Sequence, residues 1–128
     1  MGYHHVRTAD LEQHDDRPAD VRSISAAAGL EYEGSPLGLR VYTLDPGQQA
    51  PLTYHSHDEQ TEVFYVLDGE LSVETPEGKF TVGADEAFVA EPDSPHRAYN
   101  PSEADSAVRT LAVGAPSVTD HHVYDPEE

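Results

Sequence analysis

Cysteine is absent from this 128-residue chain. That excludes disulfides, zinc ribbons, iron–sulfur clusters and thiol nucleophiles, and any metal site must be built from imidazole and carboxylate. Lysine is nearly absent too: Lys79 stands alone beside six arginines. Long apolar runs are missing, so no segment reaches the length of a membrane span. The opening MGYHHVRTADLEQ lacks the apolar region of a secretory leader, and a cytoplasmic, soluble protein is expected. Asn100 is followed by Pro101, which rules it out as a glycosylation acceptor. Positive charge is the scarcest feature of all. The chain carries 25 acidic against 7 basic residues, a formal net charge of −18, which repels nucleic acid and anionic membrane surfaces. Such acidity fits disorder in the tails, as in residues 121–128, but apolar segments recur through the middle of the chain. A folded domain with an acidic, lysine-poor surface is therefore expected, of the kind found in high-salt cytoplasm, where salt screens self-repulsion. A halophilic source follows as an expectation.

What is present is a series of short apolar segments cut by turn residues. The length suits one domain. Residues 1–36 read as a polar tail and a short helix, 37–114 as the folded core, and 115–128 as an acidic tail. The helix is expected from Asp16 to Leu30: Pro18 suits its first turn, Val21, Ile24 and Ala28 fall near helical spacing, and Gly29 can end it. LGLRVYTLD (37–45) alternates like a strand and stops at Pro46-Gly47. TEVFYVL (61–67) is apolar on both faces, as a strand between two layers would be, and stops at the hairpin pair Asp68-Gly69. ELSVET, KFTV, AFVA, HRAYN and SAVRTLAVG follow, separated by Pro76-Glu77-Gly78, Gly83-Ala84-Asp85 and the loop Glu91–Pro95. Seven or more short strands with turns between them predict an all-β sandwich or barrel with one small helix outside it.

Eight histidines are the chemical signal. His4-His5, His121-His122 and His14 lie in polar stretches, where the ordinary reading is exposed tail histidine. His55 and His57 are different. On an extended segment, side chains at i and i+2 share a face with Cα atoms about 6.6 Å apart, close enough for two imidazoles to bracket one ion. An H-x-H pair is also a common coincidence. Glu62 opens the apolar strand; a carboxylate beside a buried run needs a counter-charge, which a metal would supply, although a strand-end Glu facing water is the plain alternative. His96 follows the rigid PDSP loop, where a buried histidine bonded to backbone is the usual case.

Together these residues resemble the cupin family. GQQAPLTYHSHDEQTEVFYVLDG (47–69) is similar to the first cupin motif: a glycine, H-x-H, a glutamate, then a second glycine. GADEAFVAEPDSPHRAYN (83–100) is similar to the second, with His96 after a Pro-rich loop and Asn100 beyond it. Asp85 and Asp93 stand where glycines are common, and Glu91 where a proline often stands. Gly47 lies two residues further from the first His than is typical. The resemblance covers 37–114 and implies a double-stranded β-helix, or jelly-roll barrel, in which His55, His57, Glu62 and His96 meet around one divalent metal. Three imidazoles disfavour Mg and Ca and leave Mn, Fe, Co, Ni, Cu or Zn. The resemblance also implies a homodimer.

Strand parity from His96 and Glu62 turns Ala98, Asn100, Phe64 and Val66 inward and Arg97 and Tyr99 outward. Phe64 and Asn100 are the substrate-facing candidates by parity, and Tyr42, Tyr54 and Phe88 are nearby aromatic candidates, with core packing the alternative for the aromatics. Only Arg40, Arg97 and Arg109 lie within the barrel span, so a pocket short of positive charge is expected. That argues against holding a phosphate or a dicarboxylate and for dioxygenase-type chemistry. Glu62 would serve as the base, its pKa raised by an apolar setting. A non-catalytic, metal-dependent small-molecule binder is the alternative, with isomerase or lyase chemistry behind it.

Overall fold

A computed structural model describes residues 2–15, 17–51, 54–117 and 121–123. Among them lie strands β1 (Asp20–Ser23), β2 (Gly38–Leu44), β3 (His55–His57), β4 (Thr61–Asp68), β5 (Glu70–Thr75), β6 (Gly78–Gly83), β7 (Ala87–Ala90), β8 (Arg97–Tyr99), β9 (Val108–Ala115) and β10 (His121–Val123). A 3₁₀ turn spans Thr8–Asp10, and one α-helix, α1 (Ile24–Ala27), follows β1. The strands form a five-stranded sheet in the order β1-β2-β9-β4-β7, a three-stranded sheet β6-β5-β8 and a pair β10-β3. The all-β fold expected from the turn spacing, and the jelly roll that the resemblance implies, are what the chain adopts. Val21, Leu44, Phe64, Val66, Leu71, Val73, Ala98 and Val108 fill the core.

The turns work as their residues suggest. Gly69 has φ +85°, and a Cβ there would come within 2.7 Å of the Ala107 carbonyl oxygen, so both conformation and space demand glycine. Asp85 and Asp93, the departures from the usual glycines, both sit at positive φ, 65° and 63°. A short polar side chain tolerates this region better than most. Asp85 also accepts a hydrogen bond from the Tyr65 hydroxyl at 3.1 Å.

Three expectations are corrected. The helix expected from Asp16 is a strand followed by a single helical turn, and Asp16 itself lies outside the described residues. Val21 and Ser23 are buried while Asp20 and Arg22 are not, a period of two, and β1 completes its hydrogen bonds on the edge of β2. Pairing and burial override the weak helical spacing. Ser23 then caps α1 by accepting from the Ala26 amide at 3.0 Å. The second correction concerns β4: Phe64 and Val66 are buried, but Tyr65 and Leu67 on its other face are 38% and 40% exposed. Among the described residues, no second layer covers these side chains on the outer face of the large sheet. Third, the tail read as disordered contributes β10, paired antiparallel to the H-x-H strand with His122 opposite Ser56; residues 124–128 lie outside the described part.

Candidate metal centre

Alternation on β3 turns His55 and His57 inward and Ser56 outward. The strand is fixed from the other motif. His55 and His96 exchange backbone hydrogen bonds, 3.3 Å from the His55 amide and 2.9 Å from the His96 amide, and the Asp93 amide donates to the His57 carbonyl at 2.6 Å. Positive φ at Asp93 thus turns the Pro-rich loop back onto β3 and delivers His96 beside His55. Glu62 enters from the start of β4, opposite Ala90 on β7 and Gly114 on β9. His55, His57 and Glu62 come from one short stretch, and His96 joins them from 34 positions beyond Glu62.

Glu62 Oε1 lies 2.6 Å from His96 Nε2 and 3.8 Å from His55 Nε2. His55, Glu62 and His96 each present a ligand atom within 4.8 Å of the others. His57 belongs to the cluster but not to that triplet: its ring stands perpendicular to His55, centroids 4.7 Å apart, and 6.3 Å from His96. The opposite ring nitrogen of His96, Nδ1, donates to the Ser94 carbonyl at 2.8 Å. A carbonyl can only accept, so this bond fixes the ring and directs Nε2 at the cluster, the usual outer support of a metal-binding imidazole. Donor set and orientation both fit a divalent transition metal, which would take the place of the proton shared between Nε2 and Glu62.

The electrostatics correct one expectation. Burial pushes the Glu62 carboxyl up, but the hydrogen bond and charge of His96, with the charges of His55 and His57, outweigh it and hold Glu62 below the ordinary range. Burial likewise lowers His96, and the Glu62 hydrogen bond and charge, aided by the Ser94 carbonyl, reverse this and raise it. The setting was read as apolar from the strand pattern alone. The facing imidazoles decide the sign.

The centre opens on a cavity of about 500 Å³. His55, His57, Glu62, Tyr42 and Phe64 line it, with exposed Glu31, Tyr32 and Glu33 at its rim. The other substrate candidates are not among its lining residues. Phe88 packs against Phe80 with centroids 5.3 Å apart and lies 6.4 Å from the His96 ring. Tyr54 is half-buried next to β3. Asn100 is buried and donates to the Leu44 and Ser106 carbonyls at 3.0 and 2.9 Å, a clamp between strand ends. Arg97 faces outwards as parity demands, stacked on Tyr99 at 4.0 Å and bonded to Glu74.

Sequence reasoning missed the cations of this cavity. Arg40 lines it, and so does Arg17, which arrives from the segment before β1. Glu31, Glu33 and Glu62 line the same cavity, so it holds two guanidiniums and is still short of positive charge. Arg40 is legible on β2 as one of three barrel arginines, whereas nothing local to Arg17 signals that its segment folds over the barrel.

The fold and its paired motifs place the chain in a known family. It belongs to the cupin domain family, whose model matches residues 40–122. No curated protein matches it in sequence. Among solved structures it is similar to the polyketide cyclase RemF of Streptomyces resistomycificus, with TM-score 0.76 and 20% identity over 96% of this chain and 86% of that one. It is similar to a cupin-superfamily sugar phosphate isomerase of Silicibacter pomeroyi, with TM-score 0.71 and 24% identity over 84% of this chain. The chain spans 66% of that isomerase's length, just under two thirds. The oxalate decarboxylase of Lactobacillus farciminis aligns with TM-score 0.67 and 18% identity, over 90% of this chain and 34% of its own. At these identities the likeness establishes the fold.

Proposed function

We propose that this chain is a metal-dependent enzyme of the dioxygenase type, acting on a small molecule at one divalent transition metal held by His55, Glu62 and His96, with His57 beside it. The observation that carries this reading is the convergence of His55, Glu62 and His96 beside an open cavity that His55 and Glu62 line. Two histidines and a carboxylate with further positions free are the donor set of non-haem iron oxygenases. When bound, a redox-active ion would supply Lewis acidity and reactivity towards O₂. The chain's own residues do the rest. Ser94 orients His96 Nε2 at the centre, and the Glu62 carboxylate is the base placed to accept a proton from substrate. Tyr42 and Phe64 provide apolar wall against the substrate. O₂ uptake by the iron-loaded protein with a catechol or enediol, abolished by Glu62→Gln, tests the reading. Turnover unchanged under anaerobic conditions would sink it.

Proton-transfer chemistry, as in an isomerase, lyase or cyclase, is the second reading. It is favoured by the 2.6 Å Glu62–His96 contact, a ready proton relay, and by the names of the structural neighbours. Turnover with zinc and without O₂ would select it; stoichiometric ligand uptake with no product would select a non-catalytic binder. We also read the exposed Tyr65, Leu67, Phe80 and Val89 as the contact surface of a homodimer. Copies this acidic approach each other at least cost through apolar surface. A salt-rich cytoplasm is the setting that suits a charge of −18.

A further inference from the structure

Arg17 is the least satisfied cation on the cavity. Among the described residues its guanidinium makes one hydrogen bond, from Nη1 to the Ala50 carbonyl at 3.1 Å. Its Nε is buried and has no hydrogen-bond partner. A buried donor left without an acceptor is costly, and a charged one more so. Such a group marks a place where an acceptor belongs. Arg40, by contrast, already faces Glu31 at 3.6 Å, and Glu31 in turn accepts from Ser23 at 2.8 Å.

The geometry of the guanidinium narrows the acceptor. With Nη1 engaged by Ala50, the edge formed by Nε–H and Nη2–H remains, a planar two-donor fork that matches the two oxygens of a carboxylate. The wider charge pattern argues for one carboxylate, not a phosphate. Glu31 and Glu33 stand at the rim, Arg40 is matched by Glu31, and a dianion would find only one unmatched guanidinium.

We propose that Arg17 is a carboxylate-binding residue. The substrate class of this site is then a small organic acid, whose carboxylate sits on Arg17 while another oxygen group reaches the His55–Glu62–His96 centre. This rests on the reading of that centre as the reacting end of the cavity. Both ends must fit in about 500 Å³, which limits the acid to a small aromatic or short-chain compound.

The test uses benzoate as probe on the full chain after chelator treatment, so that metal coordination cannot contribute. Benzamide, of the same shape without the charge, is the control. Six arginines give few Nε–H resonances to assign. Benzoate is expected to shift the Arg17 Nε–H signal, Arg17→Gln to weaken benzoate binding about tenfold or more, Arg17→Lys to restore part of it, and benzamide to leave the signal in place. Benzoate that leaves the Arg17 signal unmoved, binding unchanged in Arg17→Gln, or equal response to benzamide would each overturn the proposal. The wild-type resonance decides even if Arg17→Gln fails to fold. Metal uptake is measured separately on the same preparations; its failure would remove the metal reading and leave the carboxylate result standing.

Discussion

Glu62 and His96 hold each other in their charged forms, and this makes their contribution to stability depend on pH. The raised His96 value contributes stability that is complete below its ordinary 6.5 and lost as pH rises through the folded value. The lowered Glu62 value contributes stability that is complete above its ordinary 4.5 and lost as pH falls through the folded value. The two overlap between about 4.5 and 6.5. Chelator-treated protein should therefore gain most from the pair in that window, and Glu62→Gln should flatten its profile of melting temperature against pH. An unchanged profile would mean that the pair is not coupled. Two other positions test the backbone. Gly69→Ala meets the Ala107 carbonyl at 2.7 Å in addition to positive φ, and should cost about 2–3 kcal/mol by urea denaturation. Asp93→Gly should be neutral or stabilising by up to about 1 kcal/mol in the same assay, because it relieves a left-handed aspartate. Greater loss would show that the Asp93 side chain itself holds the loop.

At the scale of elements, the centre depends on β3, a three-residue strand held by backbone bonds to His96 and Asp93 on one side and by β10 on the other. His122 adds an exposed contact to Asp58 at 2.7 Å, worth little by itself. Deleting residues 121–128 should speed amide exchange at β3 and weaken metal binding while the five-stranded sheet keeps its protection; equal exchange at β3 with and without the tail would assign β10 no such role. Much of this arrangement was legible. Alternation at 55–57 and 96–100, the stop at Asp68-Gly69 and the span of β2 are local signals, and local chemistry produces them. What was not legible depends on partners remote in sequence. β1 has helical spacing in isolation and becomes a strand because β2 offers an edge. β10 looks like solvated tail until β3 pairs with it. The sign of the Glu62 shift needed the positions of three imidazoles, and Arg17 needed the path of the amino-terminal segment over the barrel. His57 shares a face with His55, as the spacing requires, yet same-face placement does not fix ring orientation, and its ring stands edge-on.

For the whole molecule, a net charge of −18 on 128 residues predicts strong self-repulsion, weakened as the Debye length falls from about 10 Å at 0.1 M salt to about 3 Å at 1 M. Thermal stability should rise with KCl over that range; a melt insensitive to salt would count against adaptation to high salt. Val89 is 56% exposed on β7, and Val89→Asp should convert a dimer into monomer in sedimentation without altering the fold. Sedimentation as a monomer before substitution would dismiss the dimer. The central claim, however, is the metal centre, and direct elemental analysis tests it. The protein is to be purified without chelator or metal-affinity resin, after removal of the exposed amino-terminal His4-His5 segment. About one equivalent of a transition metal is expected per chain, falling close to zero in His96→Ala and in Glu62→Gln. No bound metal, or an equivalent that survives both substitutions, would contradict the assignment of His55, Glu62 and His96 as its ligands.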